Sequence, residues 1–93
     1  MYAMNRVNPM GLQFQLMEIS NQITRIKCGN KQITVPYNIH TISQSWYDWT
    51  MQAQFIQVAF KYMTPSEREF LMTSITPTEW AAMMESTEER EEE

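Results

Sequence analysis

Gln22-Ile23-Thr24-Arg25-Ile26-Lys27-Cys28-Gly29-Asn30-Lys31-Gln32-Ile33-Thr34-Val35-Pro36-Tyr37 is the stretch that decides the fold. Residues 22 to 28 and 32 to 37 are rich in Ile, Thr and Val, side chains that fit a pleated, half-buried surface. They flank Gly29-Asn30, a pair that tolerates positive φ, so the stretch reads as a hairpin closed by a tight turn. Pro36 lacks an N–H, which ends the second arm or confines it to a sheet edge. Upstream, Leu12-Gln13-Phe14-Gln15-Leu16 alternates apolar and polar residues, the period of a strand with one buried face, although Met17 and Ile19 blur the outer face. Residues 1 to 11 contain Asn5, Asn8, Pro9 and Gly11 and have no helical period, so they read as a loose lead-in ordered only by docking.

Downstream the period changes. Thr41 and Gln44 have the spacing of a capping box. Ile42, Trp46, Trp49, Ala53, Ile56, Phe60 and Met63 then recur at alternating steps of four and three, opposite a polar stripe of Thr50, Gln54, Gln57 and Lys61. The pattern predicts one amphipathic helix over 42 to 63, roughly 30 Å long at 1.5 Å per residue. Phe55, Val58, Ala59 and Tyr62 widen its apolar face beyond a coiled-coil seam. A near-repeat follows, Thr64-Pro65-Ser66-Glu67 and, twelve residues on, Thr76-Pro77-Thr78-Glu79. Thr at the N-cap, Pro at the first helical position and Glu at the third predict two short capped helices. Phe70, Leu71 and Ile75 supply the buried side of the first, Trp80 and Met84 that of the second.

The expected fold is α+β: a small antiparallel sheet or hairpin, then one long amphipathic helix and two short capped ones. With 93 residues the chain supports one modest core, expected as a single compact domain over residues 1 to 86. The formal net charge of −4 is uneven: residues 85 to 93 hold six of the eleven acids beside Arg90, leaving five acids against six bases in the preceding 84 residues. Such a run repels itself, and residues 87 to 93 are expected to fray as an acidic tail.

The segment Arg68-Glu69-Phe70-Leu71-Met72-Thr73-Ser74-Ile75-Thr76-Pro77-Thr78-Glu79-Trp80 resembles a stretch of small uncharacterised proteins from phages and mobile elements. Those proteins are similar to zinc-ribbon-like modules, with one Cys-x-x-Cys before a hairpin turn and another in an Ile-Cys-Pro-x-Cys-Trp context. The corresponding positions are Arg25 and Cys28, then Thr76 and Glu79, so one of four keeps Cys. The resemblance implies a viral origin and a module whose metal has been lost, folding without zinc.

Candidate chemistry is sparse. Nucleophilic catalysis needs a nucleophile with an oriented base, and the chain has Cys28 as its one cysteine, His40 as its one histidine and Asp48 as its one aspartate. Cys28 at the end of a hairpin arm, His40 before a helix and Asp48 beside Trp49 read more simply as structural. Cys28 and His40 also lack two further ligands at metal-site spacing, and two glycines cannot make a phosphate loop. No catalytic or metal site and no cofactor is expected. No basic start with an apolar core reads as a signal peptide, no apolar run approaches the ~20 residues of a span, and a lone Cys forms no internal disulfide. The reading is cytoplasmic, in a host cell if phage-encoded, with no membrane partner.

Four residues stand out for binding. Arg25, Lys27 and Lys31 cluster at the hairpin, with 25 and 27 on one face of their strand. They suit phosphates or an acidic protein surface, and equally a charged edge that blocks sheet-to-sheet pairing. Tyr47 falls off the apolar stripe that holds Trp46 and Trp49, and nine Met with three Trp exceed the needs of a minimal core. Exposed Met and aromatic side chains make adaptable contact surface. The expected function is therefore a small non-enzymatic interaction protein; with the phage origin that the resemblance implies, it binds a host or viral protein and inhibits it, for example a defence component. The alternatives are a degenerate zinc-ribbon-like module that binds nucleic acid through Arg25, Lys27 and Lys31, and a virion or assembly component that forms a homo-oligomer through helix 42 to 63.

Overall fold

A computed structural model describes the backbone of residues 2–92 and the side chains of residues 2–84. The chain begins with four strands: β1 (Ala3–Val7), β2 (Gln13–Ser20), β3 (Ile23–Cys28) and β4 (Lys31–Val35). They form an antiparallel meander in the order β1-β2-β3-β4. Helices α1 (Ile39–Thr50), α2 (Ile56–Ala59), α3 (Pro65–Thr73) and α4 (Pro77–Glu92) follow, so the α+β class holds. Phe14, Leu16, Ile26, Ile33 and Val35 project from one face of the sheet into a core completed by α1, α3 and the segment around α2.

The central hairpin forms as its sequence implies, with Cys28 opposite Lys31 and Gly29 at φ 63, the left-handed conformation glycine adopts without strain. A register shift between Glu18 and Ser20 accounts for Ile19, whereas Met17 lies in regular register opposite Arg25 on the open face. Ile19 lies at that shift, where alternation is interrupted.

The lead-in is not loose, because residues 3–7 form an edge strand against β2. Asn8 then anchors the turn. It is 4% exposed, and all four hydrogen-bonding positions of its amide are used: Nδ2 donates to the carbonyls of Leu71 and Met72 at 2.9 and 3.0 Å, and Oδ1 accepts from the N–H groups of Met10 and Leu12, both at 2.9 Å. A buried amide so satisfied ties the β1–β2 turn to the end of α3.

The long helix predicted over 42 to 63 does not exist. Asn38, not Thr41, is the N-cap of the first helix, its side chain accepting the N–H of His40 at 2.8 Å. The helix ends at Thr50, and the chain passes through Ala53 at φ 57 before the single turn of α2. Aromatic packing explains the reversal. On a straight helix Trp46 and Phe60 would stand about 21 Å apart, whereas here their ring centroids are 6.1 Å apart and Trp49 lies 5.9 Å from Phe60. Burying these rings together outweighs the roughly 1–2 kcal/mol of a left-handed alanine. The break leaves Phe55 and Val58 on the surface. It also removes the continuous seam through which residues 42 to 63 were expected to associate.

Both capping boxes are present. Thr64 accepts from the N–H of Glu67 at 3.2 Å while Glu67 Oε1 accepts from the N–H of Thr64 at 2.9 Å, and Thr76 and Glu79 repeat the same two bonds at 3.2 and 2.9 Å. Glu67 Oε1 also lies 2.9 Å from the Tyr37 hydroxyl, whose single proton is within equal reach of the Tyr62 carbonyl. The second capped helix is longer than the sequence suggested, 16 residues. Its side chains from Glu85 onward, among them those of the acidic stretch 87 to 93, lie outside the described residues.

Candidate functional site

The antiparallel ladder determines which backbone groups of β1 are free. The N–H of Glu18 donates to the carbonyl of Tyr2 and that of Asn8 to the carbonyl of Leu12, at 2.8 and 2.9 Å, which assigns the even-numbered residues of β1 to the bonds with β2. The N–H and C=O of Ala3, Asn5 and Val7 therefore point to the outer edge. Two of these carbonyls are occupied. Val7 accepts from Trp46 Nε1 at 2.9 Å, and Asn5 accepts from Arg6 Nη1 at 2.7 Å while Arg6 Nη2 donates to Ser43 Oγ at 2.9 Å. The three N–H groups donate to nothing among the described residues.

Between this edge and α1 runs an open groove of about 720 Å3, within the range of about 300–1,000 Å3 typical of ligand clefts. One wall is Asn5, Arg6 and Val7. The other includes His40, Ser43, Tyr47 and Thr50, a three-four-three spacing that forms one stripe of α1, while Ile39, Ile42, Trp46 and Trp49 face the core. Tyr47 and Met51, 49% and 69% exposed, give the groove an apolar part, and Val7, 52% exposed, borders it at the sheet edge. Arg6 is its cation, and no carboxylate lines it. The His40 ring stacks on Tyr2 with centroids 5.6 Å apart, and the Tyr47 hydroxyl accepts from Gln52 Nε2 at 3.1 Å.

The four residues singled out in the sequence do not converge. Tyr47 lines the groove. Arg25 and Lys27 lie on the sheet face opposite the helices, where strand register aligns Asn5, Gln15, Lys27 and Gln32 in one row and Ala3, Met17, Arg25 and Thr34 in the next. Neither row contains a carboxylate, and Arg25 Nε is shielded without a hydrogen-bond partner among the described residues. Lys31 projects to the helical side and pairs with Glu79 at 3.1 Å. The N–H of Thr76, and then the Lys31 ammonium, hold the Glu79 carboxyl below the usual carboxylate range. The hairpin trio is thus two cations on the open face and one pinned to α4. Of the positions implied by the resemblance, Lys31 places the Cys28 end of the hairpin beside Glu79, while Arg25 is on the opposite face.

Cys28 packs at the margin of the core, His40 stacks on Tyr2, and Asp48 accepts from Gln44 at 3.3 Å, three separate settings. Among the described residues no three His, Cys, Asp or Glu side chains gather in a way that could hold a metal ion, and no described helix is long and apolar enough to cross a membrane. The groove residues that sequence reasoning missed are Arg6, Val7 and Ser43. Their meeting spans 37 positions in the chain, and only the basic character of Arg6 gave any signal. No family model, no curated protein and no solved structure matches the chain.

Proposed function

We propose that this is a small non-enzymatic interaction protein that engages a partner protein through the groove between β1 and α1. The observation that carries the reading is the exposure of Val7, Tyr47 and Met51 around one concave surface whose other wall is a sheet edge with unused N–H donors. Solvent-exposed apolar side chains gathered in one place mark contact surfaces more often than scattered ones. The separate settings of Cys28, His40 and Asp48 favour binding over catalysis. The resemblance of Arg68 to Trp80 favours a phage origin and a host protein, such as a defence component, as the target. Replacing Val7, Tyr47 and Met51 together by Ser tests this in the native host. Loss of partner co-purification at unchanged melting temperature is expected, and undiminished co-purification would refute the site.

A second reading is favoured by the open sheet face, where Arg25 and Lys27 stand among amides and hydroxyls without a carboxylate. That face suits phosphates, so it would give nucleic-acid binding that weakens steeply with salt and is lost in Arg25→Gln/Lys27→Gln.

A further inference from the structure

From the free edge and its guarding arginine we infer that the groove takes an extended, carboxylate-bearing segment of a partner protein as a fifth strand on β1. The inference rests on the groove being the contact surface and specifies how it is used.

Three features point the same way. The N–H groups of Ala3, Asn5 and Val7 form a row of donors with which an added strand pairs while the Val7 carbonyl stays with Trp46, and α1 runs beside that row as a wall against which alternate side chains of the strand pack. The apolar contacts available to those side chains are Tyr47 and Met51. The third feature is charge: the groove carries the Arg6 guanidinium and no carboxylate. Arg6 Nη1 rests on the Asn5 carbonyl, the acceptor that an incoming backbone N–H would use. A segment that takes over this carbonyl releases half of the guanidinium fork, and a carboxylate on the same segment restores its bonding. The outer edge of β1 is thus protected against indiscriminate pairing by Arg6 and opened by a strand that brings its own acid. A second copy is the poorer occupant, because antiparallel pairing of β1 with β1 about Asn5 sets the two Arg6 side chains as diagonal neighbours with no acid between them.

The test uses the full chain and two acetylated, amidated hexapeptides, Val-Thr-Glu-Thr-Val-Thr and Val-Thr-Lys-Thr-Val-Thr, which set the charge and both valines on one face of an extended strand, followed by residue-resolved amide exchange and by titration. The Glu peptide is expected to slow exchange at Asn5 and Val7 at least about tenfold, while the Lys peptide leaves both unchanged. Arg6→Gln is expected to weaken the Glu peptide about tenfold. Asn5→Pro, which removes an edge N–H and leaves the β1–β2 ladder intact, is expected to abolish its binding. If Asn5→Pro does not fold, Val7→Pro and the exchange data on the unaltered protein decide. Strand addition is overturned if the Glu peptide binds without protecting Asn5 and Val7, if the Lys peptide binds equally, or if neither binds at about 1 mM. Each of these leaves the groove reading standing as long as the triple Ser variant still loses its partner; retention of the partner by that variant overturns both.

Discussion

Trp46 Nε1 donates to the carbonyl of Val7 at 2.9 Å. This one bond joins the core helix to the outer edge of the sheet, 39 positions away in the chain. With the bond from Arg6 to Ser43 it holds α1 alongside β1 at two points. The groove between them is therefore fixed by the same residues that complete the core, and Trp46 serves both: its ring packs against Phe14, Trp49 and Phe60 while its N–H reaches the edge.

Asn8 is the buried polar residue on which the β1–β2 turn depends. Asn8→Ala leaves two N–H groups and two carbonyls without their partner, so a loss of about 2–4 kcal/mol is expected in denaturant melts. A change below about 0.5 kcal/mol would mean that solvent replaces the amide and that the turn is not anchored to α3.

Two phenylalanines five residues apart report on the chain reversal. Phe60 is fully buried and Phe55 is 75% exposed. Phe60→Ala is expected to cost about 3–5 kcal/mol and Phe55→Ala less than about 0.5 kcal/mol. Comparable costs would restore the continuous helix.

Ala53 and Ser74 both adopt left-handed backbone, at φ 57 and 64. Ala53→Gly and Ser74→Gly remove a steric penalty at positions where the helix path changes, and each is expected to raise stability by about 0.5–1 kcal/mol, less whatever the freer unfolded chain takes back. Destabilisation by both would show that these conformations are not left-handed in solution.

Burial, and next the bond to Glu67, push the Tyr37 hydroxyl from its ordinary 10.0 up to about 12. A folded-state value above the unfolded one means that its contribution is complete below about pH 10 and is lost as pH rises toward about 12. Denaturant melts across that window should fall less steeply for Tyr37→Phe than for the unaltered protein. Tyr62, also raised by burial, keeps part of the slope. Identical slopes would remove Tyr37 from the alkaline transition.

What could be read from the sequence was local. Gly29-Asn30 and the two Thr-Pro-x-Glu boxes announce their structures within four residues, and each forms as read. β1 is not legible locally because Ala3-Met4-Asn5-Arg6-Val7 has too little apolar contrast to show a period; pairing with β2 makes it a strand. The break after Thr50 was hidden because Met51-Gln52-Ala53-Gln54 contains neither Gly nor Pro and the four-three spacing runs through it unbroken. Only the meeting of Trp46, Trp49 and Phe60 in three dimensions requires it. The groove was half legible: Tyr47 stood off the apolar stripe, but its opposite wall comes from the strand that was not seen.

The most direct test of the groove as contact surface is site-specific photo-crosslinking in the native host, from a benzoylphenylalanine at Met51 and, in parallel, at Thr34 on the open sheet face. The groove reading expects a discrete protein adduct from position 51 and none from position 34. Adducts from position 34 alone would contradict it and move the contact to the face of Arg25 and Lys27.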